Sequence, residues 1–229
     1  MLSPVRKMFD GIAHRYDFLN HFLSLGRDIA WRKSCSKMVA DLCRDQGRIE
    51  LLDLCGGTGD FAGTFCRYNK NCGTPVVGDF SFGMLKEVAR KGIKARVVQL
   101  DAMKMPFADG QFDLIVNGFG MRNLPDAKLG LMESYRVLRQ GGYICFLEFF
   151  SPRGVFNRFF YKGLAPLFIP LMGAFFSGKK DAYESLVSYI VRFLPVREFS
   201  VLAESVGFEV VRVKEFDLGI SYGVILRKR

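Results

Sequence analysis

The stretch LLDLCGGTGD, residues 51–60, decides how this chain is read. Ile49, Leu51 and Leu52 form an apolar run that ends in an acid, Asp53, and a turn holding Gly56, Gly57 and Gly59 follows. A helical pattern comes next, so the stretch predicts a buried strand feeding a glycine-rich loop at a helix N-terminus. Glycines there let the backbone approach a ligand and take positive φ without steric cost. Two ligand classes fit. Gly57-x-Gly59-x-x-Ala62 satisfies a dinucleotide fingerprint, and Asp79, 20 residues past Gly59, stands where a ribose-binding acid would sit. Asp53 argues the other way, because an acid ahead of the glycines sets negative charge against a pyrophosphate. A ligand with a cationic centre and no phosphate suits it better. S-adenosylmethionine is such a ligand: a sulfonium, an ammonium, a ribose and an adenine. A plain strand-to-helix turn would ask for none of these features.

Further acids sharpen the choice. TPVVGD (74–79) predicts a second strand ending in Asp79, and Ser81 is placed to N-cap a helix through Ala89. An acid at that strand end accepts both ribose hydroxyls. ARVVQLDA (95–102) predicts a third strand, with Asp101 accepting from an adenine amino group while the Ala102 amide donates to the ring. FDLIVNGF (112–119) is a fourth strand; YRVLRQGGYICFLEF (135–149) reads as a helix end, a Gly-Gly turn and a fifth strand. One aspartate at a strand end is most simply a cap or a solvated loop acid. Three in register, with Gly-Gly before strand five, resemble class I S-adenosylmethionine-dependent methyltransferases.

At 229 residues the chain suits one α/β domain with a sizeable core. Strands alternating with helices predict a Rossmann-like, seven-stranded, mostly parallel sheet with helices on both faces and ligands outside the carboxyl ends of the strands. FEVVRVKEF (208–216) and YGVILRKR (222–229), joined near Gly219, predict a closing antiparallel hairpin. Residues 1–46 are expected to form a helical cap over the active site, within a single domain spanning 1–229. Six cysteines without a C-x-x-C pair, and only two histidines, argue against a metal site. Cys55 and Cys145 sit in apolar runs and are expected as small core residues. With no secretory h-region in MLSPVRKMFD, the chain reads as a reducing, cytoplasmic protein.

The formal net charge is +10, unevenly distributed. Arg153, Arg158, Lys162, Lys179 and Lys180 fall in a stretch without acids that is also rich in phenylalanine. Its centre, GLAPLFIPLMGAFF (163–176), has no charge for 14 residues. A bilayer span needs about 20 such residues, and Pro166 and Pro170 interrupt this one. The segment 151–195 is therefore expected as an aromatic, basic helical insert: a lid over an apolar pocket, touching the anionic inner face of the cell membrane as a peripheral protein. Plain burial against the sheet edge is the simpler alternative. Nucleic acid is not expected, since no arginine-rich run or recognisable module is present.

Chain-wide, the sequence resembles the menaquinone/ubiquinone-biosynthesis C-methyltransferases, the demethylmenaquinone methyltransferase type among them. Matching stretches are FDGIAHRYDFLNHFLSLGRDIAWR (9–32), LDLCGGTGD, FGMRN (119–123) and RVLRQGGYICFLEF (136–149). The first is the most diagnostic, through Tyr16, Asp17, Leu19, Asn20, Leu23, Ser24 and Trp31. The resemblance implies methylation of a ring carbon of a polyprenylated quinol, with S-adenosylmethionine as methyl donor. Demethylmenaquinol is the acceptor favoured over the 2-methoxy-6-polyprenyl-1,4-benzoquinol of ubiquinone synthesis. Methylation of another small molecule, or S-adenosylmethionine binding without turnover, are the remaining readings, and the assembly is either a monomer or a homodimer. Three positions depart from the family pattern. Asp28 stands for a histidine, Gly118 for a serine, and Glu148-Phe149-Phe150-Ser151 moves a hydroxyl along by one.

A ring carbon becomes nucleophilic when its neighbouring hydroxyl loses a proton, and phenols titrate near pH 10. Arg122 is expected to stabilise the phenolate and Asn123 to hold the second oxygen. Asp60 is expected to relay the proton through water, and Tyr16 to hydrogen-bond the quinol. His14 is the alternative base. By resemblance Asp53, Gly57, Thr58, Gly59, Asp79, Asp101 and Ala102 contact the donor, and Met84 and Met103 flank the adenine or belong to the core.

Overall fold

Alternate residues of the inner strands face opposite layers, and this alternation builds two cores. The computed structural model describes residues 4–151 and 189–229. One sheet holds β1 (Leu51–Leu54), β2 (Val76–Asp79), β3 (Arg96–Gln99), β4 (Phe112–Gly118), β5 (Leu138–Glu148), β6 (Phe208–Phe216) and β7 (Ser221–Lys228). Their order is β3-β2-β1-β4-β5-β7-β6. The pairs from β3 through β5 are parallel, and β7 runs antiparallel to both its neighbours.

Leu51, Leu114, Val116, Cys145, Leu147 and Ile225 point to one face. There they meet α3 (Arg27–Leu42), α4 (Asp60–Tyr68) and α5 (Phe82–Arg90) through Cys35, Val39, Phe61, Phe65, Leu85 and Val88. Leu52, Ile115, Ile144, Phe146, Val224 and Leu226 point to the other face. They pack on Leu131, Val137, Phe199 and Ala203 of α6 (Ala127–Val137) and α7 (Val196–Val206). A one-residue slip of any inner strand would exchange the two cores, so the register is tightly set. β1 is buried along its whole length, whereas β3 at the sheet edge exposes three of its four residues.

α1 (Pro4–Ile12) and α2 (Tyr16–Leu23) precede α3. Ile12 and Ala13 pack with Met84 of α5, so the first turns of the chain lie against the helix that follows β2. Trp31 of α3 stacks on Phe216 and donates from Nε1 to Asp217 Oδ2 at 2.6 Å. Arg27 pairs with the same carboxylate. This joins the N-terminal helices to the turn between β6 and β7.

Several expectations need correcting. Gly141 and Gly142 do not form a turn between helix and strand. α6 ends at Val137, and both glycines lie inside β5, opposite a register shift between Phe112 and Leu114 of β4. A bulge there suits glycine: Gly141 has φ +77°, and a Cβ on Gly142 would lie 2.8 Å from Asp113 O. The third strand stops at Gln99, and Asp101 is held in a short bridge with Lys104. Cys66 and Cys72 are disulfide-bonded, which departs from the reduced-thiol expectation. They meet because the loop after α4 folds back on itself, with Cys72 N donating to Asn69 O. The segment 163–176 and its flanking cations lie outside the described residues. No helix among the described residues is long and apolar enough to cross a membrane.

Candidate functional site

β1 ends at Leu54, and Cys55 turns the chain with φ +52° before the glycines. A Cβ on Gly56 would lie 2.8 Å from Asp53 Cγ and from Val77 Cγ1, so no larger residue fits. Gly57, at φ +56°, has nothing within 4 Å of such an atom and leaves its backbone open to the cleft. Gly59 caps α4 with φ +81°. Three acids brace this loop or face the same space. Asp53 is fully buried and accepts from Ala62 N at 2.8 Å through Oδ2, while its Oδ1 is buried without a partner. Burial pushes its carboxyl up to about 8, against the Ala62 amide and Arg32. Asp79 accepts from Gly57 N (2.9 Å) and Ser81 N (2.8 Å), and burial raises it to about 6. Asp101 is exposed and accepts from Met103 N at 2.8 Å.

These groups border a cleft of about 610 Å³ at the carboxyl ends of β1 to β4. Gly57, Asp79, Asp101, Ala102, Met84, Met103, Tyr16 and Asn123 all line it. Asp53, Thr58 and Asp60 line a small inner recess that shares Tyr16, Cys55, Gly57 and Phe119 with the cleft. A ligand with a ribose, an adenine and a cationic centre fits this donor and acceptor set. Asp79 and Asp101 are spaced along the cleft, and the unpartnered Asp53 Oδ1 lies beside the recess. Cys55, expected in the core, instead lines both spaces, and burial raises its thiol well above the usual range.

The four expected catalytic residues separate into two pairs. Tyr16 and Asn123 line the cleft. Burial pushes the Tyr16 phenol up while Arg122 pulls it down, and the net direction is upward, so Tyr16 is a neutral donor at pH 7. Asn123 donates from Nδ2 to Phe119 O at 3.1 Å, a bond that fixes the amide plane.

Arg122 and Asp60 sit elsewhere. Arg122 is buried behind the cleft wall, with Nη1 donating to Glu148 Oε1 (2.5 Å) and Phe119 O (2.7 Å). Its guanidinium lies against the stacked rings of Phe119 and Phe149. Asp60 is paired with Lys91 and, at 3.6 Å, with Arg32. Lys91 also donates to Asp17 Oδ2 (2.8 Å) and Thr58 Oγ1 (3.1 Å), and Thr58 donates to Asp17 Oδ1 (2.7 Å). The loop is thereby tied to α2. Asp10 of α1 adds a second tie, accepting from Ser81 Oγ (2.5 Å) and Gly83 N (3.0 Å).

Asp28, where the resemblance places a histidine, is buried and accepts from Ser24 Oγ (2.7 Å) and Arg32 Nη2 (3.2 Å). His21 Nδ1 lies 2.7 Å from it. Burial opposes ionisation, yet Ser24, Arg32 and His21 together hold the carboxyl below its ordinary value. An imidazole from α2 thus stands beside this carboxylate. Glu148 carried no expected role. It is fully buried, and burial pushes its carboxyl up against the pull of Arg122. One signal pointed to it: an acid closing the apolar run of β5, in line with Arg122 beyond the adjacent β4. The grip of Lys91 and Arg32 on Asp60 had no comparable local signal, because they lie 31 and 28 residues from it in the chain.

Comparison with known proteins bears on the family and the fold. A protein of Geotalea daltonii named ubiquinone/menaquinone biosynthesis C-methyltransferase is 36% identical over 225 residues, 96% of this chain and 94% of the relative. A demethylmenaquinone methyltransferase of Thermus thermophilus is 36% identical over 209 residues, 89% of this chain and 92% of the relative. The fold matches an S-adenosylmethionine-dependent methyltransferase structure from Thermotoga maritima with TM-score 0.64 at 18% identity, covering 98% of this chain and 100% of that one. The model of the ubiE/COQ5 methyltransferase family matches residues 2–225. With its strand order, its glycine loop and a match over nearly all its length, the chain belongs to the ubiE/COQ5 methyltransferase family.

Proposed function

We propose that this chain transfers a methyl group from S-adenosylmethionine to a ring carbon of demethylmenaquinol or a closely related polyprenylated quinol. Family membership makes it an S-adenosylmethionine-dependent C-methyltransferase of quinone biosynthesis. The observation that carries the acceptor reading is the pairing of Tyr16 and Asn123 across one cleft with the acids that suit the donor. The methoxy-benzoquinol of ubiquinone synthesis is the second acceptor, supported by relatives whose names carry both quinones.

S-adenosylmethionine supplies, when bound, a methyl group on a sulfonium for in-line displacement. The residues do the positioning. Asp79 and Asp101 would hold the ribose and adenine, Gly57 allows close backbone approach, Gly59 turns the chain into α4 against Val88 and Ile93 and away from the cleft, and Thr58 steadies the loop against α2. Asp53 offers its unpartnered oxygen to the cationic end of the ligand. Tyr16, kept neutral by burial, donates to a quinol oxygen, and Asn123 meets the other. Arg122 acts from behind the wall. Its buried charge favours a phenolate in the cleft, and Glu148 with the two phenylalanine rings fixes its place. We reassign Asp60 from proton relay to cap closure, because Lys91 and Arg32 both hold its carboxylate. The ring hydroxyl gives its proton to water as the phenolate forms; after methyl transfer the methylated ring carbon loses its own hydrogen as a proton to water and the oxygen regains one, which restores the aromatic quinol.

A polyprenylated acceptor resides in a bilayer, so this reading puts the protein at the cytoplasmic membrane surface as a peripheral enzyme. The exposed Phe18 in the first turn of α2, Leu25 in the turn after it and Ile29 in the first turn of α3 support such a contact. Tyr16→Phe and Asn123→Ala test the acceptor site. Each is expected to lower kcat by about tenfold to a hundredfold with donor affinity unchanged. Wild-type kcat in both would remove these residues from the reaction.

A further inference from the structure

We propose a second binding site outside the methyltransferase cleft: a basic groove that docks the phosphate headgroups of an anionic membrane. The groove is about 770 Å³ and lies between the loop after α4 and the loop after α5. Arg48, Arg67, Lys70, Lys91 and Lys94 line it, and among the described residues no carboxylate does. Two of the cations are already committed, Arg48 to Glu50 at 3.1 Å and Lys91 to Asp17 and Asp60. Among the described residues Arg67 donates only to the neutral Thr64 hydroxyl (3.1 Å), and Lys70 and Lys94 have no carboxylate partner. Three like charges facing one concavity repel one another, and an anion relieves that repulsion.

The wall carrying two of them is a built feature. Arg67 and Lys70 sit on the loop closed by the Cys66–Cys72 bond, and Ile49 pairs with Cys72 to tie that loop to the sheet. Gly73 lets the chain pass close beside it, since a Cβ there would lie 2.9 Å from Arg48 Nε and 3.2 Å from Ile49 O. The groove also adjoins the donor loop, because Lys91 lines it while its ammonium reaches Thr58 and Asp60. A headgroup phosphate, multiply presented on a surface, matches three convergent cations and the +10 net charge better than a single small anion. The site goes beyond the methylation reading and does not depend on which acceptor is used.

The test is co-sedimentation of the full-length protein with vesicles of phosphatidylcholine, with and without phosphatidylglycerol, in the absence of any quinol. The variant is Arg67→Glu/Lys70→Glu/Lys94→Glu, which leaves the cleft untouched. Wild type should bind the phosphatidylglycerol vesicles, with affinity falling steeply as salt rises. Each basic residue near an anionic surface contributes about fivefold, so the triple variant should bind about a hundredfold more weakly. A matched thermal melt and unchanged turnover of a short-chain quinol in detergent would show that the variant is folded. Vesicle binding by the triple variant equal to wild type would overturn the proposal. So would equal binding to neutral vesicles, or saturable binding of inorganic phosphate without vesicle binding. Failure of quinol methylation would leave the vesicle result standing.

Discussion

Replacing Glu148 by glutamine tests how Arg122 is held. Arg122 and Glu148 have side-chain exposures of 4% and 0%, so their charges are almost entirely removed from water. Glu148 Oε1 accepts from Arg122 Nη1 (2.5 Å) and Phe149 N (2.7 Å), and Oε2 accepts from Arg122 N (3.3 Å). Glutamine keeps one oxygen and puts an NH₂ where the other was, so at least one of these donors loses its acceptor. An orphaned buried donor costs about 1–3 kcal/mol, and breaking a buried ion pair from one side costs about 3–5 kcal/mol. Because glutamine keeps one acceptor, we expect a loss of about 3 kcal/mol, which for a chain of this size lowers Tm by roughly 6–12 °C. Replacing both partners by apolar residues, Arg122→Met with Glu148→Leu, should cost less than Glu148→Gln, since no buried charge remains. Urea unfolding of the single and double variants measures both quantities. A Glu148→Gln protein within about 1 kcal/mol of wild type would show that Arg122 does not depend on a buried counter-charge. A double variant that loses as much as the separate changes added together would show the same.

Two further predictions concern the loop and the clamp. Asp53 is raised to about 8, so its contribution to stability is full below its unfolded value near 4 and is lost as pH rises through 8. Asp53→Asn should flatten that fall in urea midpoints between about pH 5 and 8. In the same window a cationic donor binds more tightly to the wild type as pH rises and displaces a proton. Calorimetry in buffers of different ionisation heat would detect that proton, and its absence in wild type would sink the role. Asp217→Ala removes the acceptor of Trp31 Nε1 and the partner of Arg27. We expect a loss of about 1–3 kcal/mol and a red shift of fluorescence, which the single tryptophan reports alone. Unchanged emission would show that α3 does not depend on the turn.

The sheet was legible because its signals are local. The apolar runs at 51–54, 76–79 and 112–118 and the Ser81 cap appear where their residues predict them. The three strand-end acids were legible too, since each ends its own run or lies just past it. Burial changes what such signals mean. Arg122 and Asn123 are neighbours in FGMRN, yet one turns into the core and the other into the cleft, and the spacing of letters does not encode that split. Asp60 read as a free base because Lys91 and Arg32 reach it only through the tertiary fold. The Gly-Gly pair read as a turn because a bulge inside a long strand has the same local composition as a loop. Cys66 and Cys72 gave no motif at a spacing of six residues, and only the returning loop brings them together.

Carbon methylation of a quinol is tested by supplying the purified protein with methyl-labelled S-adenosylmethionine and reduced demethylmenaquinone. The expected product is heavier by one CH₂ unit, with the label on the ring carbon by NMR and demethylated donor formed in equal amount. No turnover of the quinol, or a label found on oxygen, would contradict carbon methylation.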